Sequence, residues 1–259
     1  MSGQARYAIV TPYYREEKWL LERCIRSVRE QELAADHILV ADGFPQDWID
    51  GEAVRHIKLD RNHADYGNTP RTIGALLAVS KEYEGVGFLD ADNWIERHHV
   101  ASCIEASERN ATCDYVIAQR TLRRPDGSAI KIEEAPPSRF VDMSCFFLLP
   151  GSYHVIPHLA LTPVELAPVC DRVFYAALKA RKLNSEIVPE KTVNYHCLWR
   201  YVYKLIGEEP PAEAKGGVDY KRMKEWLNGQ DERQRQILYR RIGCRLDVVN
   251  SNGVWRLAT

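Results

Sequence analysis

Over its first hundred residues the chain alternates short apolar segments with amphipathic ones, and that alternation leaves few folds open. Residues 7–10 (YAIV) are apolar and β-branched and run into Thr11-Pro12. Residues 16–31 then place Trp19, Leu20, Cys24, Ile25 and Val28 at helical spacing. A second buried strand, residues 37–41 (HILVA), closes on Asp42-Gly43, and residues 55–59 (RHIKL) read as a third. Thr69 as N-cap with Pro70 in the first turn starts a helix. Residues 87–89 (GFL) lead as a fourth strand into Asp90-Ala91-Asp92. Strands alternating with helices predict an α/β fold, a mostly parallel central sheet flanked by helices.

The second half is less regular. Residues 114–119 read as a strand, residues 133–163 as loop-rich around the apolar run CFFLL, and residues 172–181 as a helix. An extended piece from residue 186 ends at Val193-Asn194-Tyr195-His196. Beyond it, Trp199, Tyr201 and Tyr203 fit either a partly buried alternating strand or a surface on which a sugar ring stacks. Residues 208–217 read as a mobile loop, either a linker or a lid. Residues 219–245 read as helical, with Met223, Trp226 and Leu227 packing inward, and carry eight Lys/Arg against four Asp/Glu. That excess suits a solvated helical face or peripheral contact with an anionic membrane surface.

Composition narrows the function classes. The 259 residues carry 35 Lys/Arg and 36 Asp/Glu, a formal charge of −1, which argues against a dedicated nucleic-acid surface. No apolar run approaches the ~20 residues of a membrane span, and the N-terminus lacks the apolar region of a signal peptide. Seven scattered cysteines without a CxxC pair point to reduced, buried thiols in a cytoplasmic protein.

Four polar features fall where strands end: Thr11-Pro12-Tyr13, Asp42-Gly43, the 62–71 loop and Asp90-Ala91-Asp92. Ligands of open α/β sheets bind outside the carboxyl ends of strands. Two close carboxylates repel unless a cation or hydrogen-bond donors compensate, so Asp90 and Asp92 suit a divalent metal; the alternative is that Asp92 or Asn93 caps a helix starting near Trp94. The 62–71 loop places Asn68 and Arg71 at a helix N-terminus, a setting for a diphosphate, although Thr69 and Arg71 also fit a purely structural first turn. Asp171 precedes an amphipathic run and reads locally as an N-cap. His196 ends a strand and is either a metal ligand or a satisfied polar residue. His98 and His99 cannot share one helix face and read as structural.

These motifs, in this order, resemble the inverting family 2 glycosyltransferases of the GT-A fold. The resemblance runs from VTPYYREEKWLLERCIRSVREQELAADHILVADG through NHADYGNTPRTIGALLA to GFLDADN, and resumes at PVCDRVFYAALKARKLNSEIVPEKTVNYH. It implies a GT-A domain over residues 1–204, with the nucleotide-sugar half at 1–100 and the acceptor half at 101–204, followed by a helical C-terminal extension at 205–259. It further implies that Thr11, Pro12 and Tyr13 line the nucleoside pocket, Asp42 bonds the base, and Asn68, Arg71, Asp90 and Ala91 border the nucleotide-sugar. Asp92, with Asp90 and His196, would hold Mn²⁺ or Mg²⁺, and Asp171 would be the catalytic base, with Asp142 and Glu165 as substitutes. Two departures stand out: a single carboxylate, Asp42, where the family has paired acids, and Cys170-Asp171 where it has Glu-Asp.

The expected reaction is metal-dependent inverting transfer from a nucleotide-sugar donor, a UDP-sugar by the family's habit, to a carbohydrate, lipid-linked or protein acceptor, as in bacterial surface glycoconjugate synthesis. A sugar nucleotidyltransferase is the competing enzyme, but residues 11–16 lack its glycine-rich loop. A degenerate nucleotide-binding scaffold is the non-enzymatic alternative.

Overall fold

The computed structural model describes residues 5–134, 136–137, 140–247 and 256–257. Strand β1 (Tyr7–Tyr13) is buried along its whole length, as a central parallel strand covered on both faces must be. Helix α1 (Lys18–Arg29) buries Leu21, Cys24, Ile25 and Val28. Trp19, expected on that stripe, lies off it and is 44% exposed, because Leu21 completes the i, i+3, i+4, i+7 spacing instead. Strands β2 (Ala35–Ala41) and β3 (Arg55–Lys58) follow, then α2 (Asn68–Ser80) and β4 (Gly85–Phe88). Gly74 lets α2 lie directly on the sheet, since a Cβ there would stand 2.6 Å from Val10 Cγ1 and 3.0 Å from Val40 Cγ2.

Past the Asp90–Asp92 turn the chain forms a short strand β5 (Trp94–Ile95), and α3 begins only at His99 (His99–Glu108). The helix expected near Trp94 is displaced because Trp94 and Ile95 pair antiparallel with Asn194 and Val193. His99 is buried with Nδ1 2.8 Å from Thr192 Oγ1, a structural role, while His98 stays half-exposed. Strand β6 (Tyr115–Arg123), β7 (Phe146–Leu148), α4 (Pro157–Leu161), α5 (Cys170–Ala180) and β8 (Ser185–His196) complete the central layer.

The sheet order is β3-β2-β1-β4-β7-β6-β8-β5. Pairing is parallel among β1–β4 and between β6 and β8; β7 runs antiparallel to β4 and β6, and β5 to β8. Because β2 and β4 flank β1 on opposite sides, the chain switches direction of winding there, where an open α/β sheet leaves a crevice at its carboxyl edge.

Arg200–Leu205 form helix α6, so the strand expected around Trp199–Tyr203 is not present; Val202 and Tyr203 turn inward while Tyr201 and Leu205 face out, a helical spacing. The C-terminal stretch is two helices, α7 (Tyr220–Asn228) and α8 (Glu232–Ile242). Asp231 ends the continuity through a capping box with Gln234. Met223, Leu227, Leu238 and Ile242 join the main core, with Trp226 packed at its edge. Among the described residues all seven cysteines are free, and no helix is long and apolar enough to cross a membrane.

Candidate active site

A cleft of about 560 Å³ opens where β1, β2 and β4 end. Of the residues expected at a site, Pro12, Tyr13, Asp42, Arg71, Asp90, Ala91, Asp92 and Asp171 line it. Thr11, Asn68 and His196 do not. Thr11 is turned away from the cleft, its hydroxyl 2.8 Å from His37 Nε2 and 3.7 Å from Cys24 Sγ of α1. Asn68 is fully buried behind the wall, with both side-chain polar atoms lacking a partner. His196 is buried with its ring edge-on to Trp19 and neither ring nitrogen bonded. Burial, reinforced by the positive charge of Arg23 and Lys215, pulls its pKa down to about 4.

The turn carrying the two carboxylates is fixed from three sides. Ser144 Oγ accepts from the Asp90 amide at 3.1 Å and from Asn93 Nδ2 at 3.0 Å, Asn93 Oδ1 accepts the His196 amide at 2.9 Å, and Arg23 Nη2 donates to the Asp92 carbonyl at 2.7 Å. Neither Asp92 nor Asn93 caps a helix. Asp90 Oδ1 accepts from Arg71 Nη2 at 2.6 Å. Asp92 has no such ion pair among the described residues: burial and the neighbouring charge of Asp90 push its carboxyl up to about 7.

The loop before α2 is shaped by an unexpected cap. Gly67, at φ +80°, occupies the N-cap position, and Asp65 accepts from the Thr69 amide at 2.8 Å and its hydroxyl at 2.5 Å. Thr69 is therefore the capped residue and not the cap. Asp42 is held by His63, whose Nδ1 lies 2.6 Å from Oδ1 and whose amide donates at 3.1 Å.

Asp171 arrives from the far side of the cleft. Val169 is the N-cap of α5 and Cys170 its first residue, so Asp171 sits inside the first turn with no capping role. Among the described residues its Oδ1 accepts only the adjacent Arg172 amide, at 2.7 Å. Burial, then the charge of Asp142, raises its carboxyl to about 7. Asp142 also borders the cleft but is committed to Arg120 Nη1 at 2.8 Å and to the Ser144 amide. Glu165 does not line the cleft.

Among the described residues no three His, Cys, Asp or Glu side chains converge to hold a metal ion. The set Asp90, Asp92 and His196 is thus not assembled as a protein cage, since the His196 ring is packed on Trp19. Two carboxylates at one cleft, one of them uncompensated, do fit a Mg²⁺-like ion that completes its shell with phosphate oxygens and water. Sequence reasoning missed Glu16, whose carboxyl is raised by burial, and Lys215, both on the cleft wall. Glu16 carried no motif, and Lys215 lies in a segment that read only as a loop.

The sequence model described as glycosyl transferase family 2 matches residues 8–167. Among solved structures, S. aureus TarS 1-349 in complex with UDP superposes with a TM-score of 0.56 at 14% identity, over 91% of this chain and 70% of that one. The same fragment in complex with UDP-GlcNAc gives 0.56 and 14% over 91% and 71%. A longer TarS chain gives 0.51 and 14%, with 90% of this chain spanning 45% of that one. These likenesses are of fold, a mostly parallel sheet flanked by helices. No curated protein sequence matches the chain.

Proposed function

The chain belongs to glycosyl transferase family 2, and we propose from that premise that it transfers a sugar from a UDP-sugar to an acceptor hydroxyl with inversion at the anomeric carbon. The observation that carries this reading is that Asp90, Asp92 and Asp171, far apart in sequence, line one cleft. The cleft lies at the carboxyl edge of β1, β2 and β4, where the nucleoside packs against Pro12 and Tyr13 and Asp42 presents its carboxylate to the base. The TarS fragment of the same fold is described with UDP and with UDP-GlcNAc, which makes uridine the first nucleotide to test.

Asp171 is the general base. Its carboxylate takes the acceptor hydroxyl proton as that oxygen bonds the anomeric carbon, and the bond from that carbon to the diphosphate oxygen breaks. A carboxyl near 7 is matched to this work at neutral pH, being about half ionised yet basic enough to accept the proton. Arg71 orients Asp90, and the Ser144, Asn93 and Arg23 bonds hold Asp92 facing the cleft. Asp92 and Asp90 would hold a divalent cation, Mn²⁺ or Mg²⁺, which would supply Lewis-acid neutralisation of the leaving diphosphate. The acceptor is a carbohydrate, lipid-linked or protein hydroxyl reached from the Asp171 side.

The test is a thermal-shift screen of nucleoside diphosphates and nucleotide-sugars with and without Mn²⁺, since a ligand of the native state raises the midpoint in proportion to its affinity. A midpoint raised by a UDP-sugar, and raised further with Mn²⁺, supports the reading. No response to any UDP, GDP, CDP or TDP compound overturns it. The anomeric configuration of a transferred sugar, read by NMR, then decides inversion.

A further inference from the structure

For a chamber that takes a diphosphate, the cleft is rich in negative charge. Glu16, Asp90, Asp92, Asp142 and Asp171 line it. Among the described lining residues the cations are Arg71 and Lys215, and Arg71 already gives Nη2 to Asp90. An incoming diphosphate adds further negative charge against these carboxylates, and like charges at close range are costly without a compensating cation. Lys215 has no ion pair among the described residues, and its charge opposes ionisation losses at Asp92 and Glu16 across the cleft.

The backbone holds Lys215 there. Its amide donates to the Leu198 carbonyl at 2.7 Å and its carbonyl accepts the Arg200 amide at 3.1 Å, which pairs it in parallel with Trp199 at the exit of β8. At the other end of the same segment, Arg124 grips Glu208 with two bonds, Nε to Oε2 at 2.9 Å and Nη2 to Oε1 at 2.6 Å. Residues 208–217, which read in sequence as a mobile loop, are therefore a strap fastened at both ends and carrying one unpaired ammonium to the cleft. The strap lies beyond residue 167, where the family match ends.

We propose that Lys215 binds the diphosphate of the donor, a phosphate contact supplied by the strap, outside the residues that the family model matches. The inference rests on the glycosyltransferase reading of the cleft. A lysine ammonium suits this role as a compact point charge with three donors, free to follow the diphosphate as its charge grows on leaving.

The experiment compares calorimetric affinities of wild type, Lys215→Met and Lys215→Arg at fixed Mg²⁺. The ligands are the tightest-binding nucleoside diphosphate among those of uridine, guanosine, cytidine and thymidine, together with its free nucleoside. Lys215→Met should weaken the diphosphate about tenfold, the scale of one charge-assisted bond, and leave the nucleoside unchanged. Lys215→Arg should recover most of the loss. Unchanged diphosphate affinity in Lys215→Met overturns the assignment, as does an equal loss for nucleoside and diphosphate, which marks a structural effect. Wild-type protein that binds no nucleoside diphosphate overturns the donor-site reading itself, and this inference with it.

Discussion

Arg71 and Asp90 form an ion pair, Nη2 to Oδ1 at 2.6 Å, that ties the first turn of α2 to the end of β4. The arginine side chain is 3% exposed and its Nε and Nη1 have no partner among the described residues. Arg71→Met should lower stability by about 1–3 kcal/mol, because Asp90 loses its cation beside Asp92. Urea denaturation of the variant measures this; an unchanged midpoint would show the pair to be structurally idle.

Asp171→Asn keeps the shape of the cleft and removes the proposed base. Transfer should fall about 10²–10⁴-fold while donor affinity is kept. Since the carboxyl is raised to about 7 by burial and then Asp142, the wild-type rate should climb with pH through about 7 and level above it. A pH profile of kcat/KM checks this, and an Asp171→Asn variant transferring at the wild-type rate excludes the base assignment.

Asp92 must shed its proton to accept a cation. With its carboxyl raised to about 7 by burial and then Asp90, the Mn²⁺-dependent gain in donor affinity should grow between pH 6 and pH 8. Asp92→Asn should abolish that gain. Donor titrations with and without Mn²⁺ at the two pH values provide the measurement.

The same two carboxyls impose a stability cost in the absence of cation. Each titrates at about 7 in the fold against an ordinary 3.8, so between those values the folded chain binds more protons than the unfolded one. Their contribution to stability must therefore fall as pH rises from about 4 to about 7 and stay low above it. Asp92→Asn or Asp171→Asn should raise stability by about 1–3 kcal/mol at pH 8 and by less at pH 5. Thermal melts in chelator at both values test this, and a gain independent of pH argues against buried charge as its cause.

Gly74→Ala should destabilise by about 1–3 kcal/mol, since the added methyl would stand 2.6 Å from Val10 Cγ1 and must push α2 off β1 and β2. That shift moves Arg71 three residues away, so donor affinity should drop with stability. Denaturation and donor binding on one preparation measure both.

Local chemistry made much of the N-terminal half legible. Apolar β-branched runs bounded by polar strand ends in residues 7–13, 35–41 and 85–92 follow directly from strand periodicity and burial. The carboxyl-edge rule then places Pro12, Tyr13, Asp42, Asp90 and Asp92 together. Where local signals compete, a single sequence misleads. Trp94-Ile95 looks like a helix start but is captured as a strand by Asn194 and Val193, a partner about a hundred residues away. Thr69 has the chemistry of a cap, yet Asp65 takes that work. Trp199–Tyr203 fits two periods over five residues, too few to separate strand from helix.

Alternation, strand-end carboxylates and the order of motifs settle in the sequence that this is an α/β chain of the family 2 glycosyltransferases with acids at the sheet edge. Packing decides the rest, because burial and ion pairing depend on neighbours distant in the chain. Only folding gives Arg71 to Asp90 and Arg120 to Asp142 while leaving Asp92 and Asp171 without an ion pair among the described residues. Only folding turns the His196 ring onto Trp19 and out of the cleft lining. The strap is the clearest case: nothing around Lys215 in sequence marks it, and two backbone bonds to Leu198 and Arg200 bring its charge to the carboxylates.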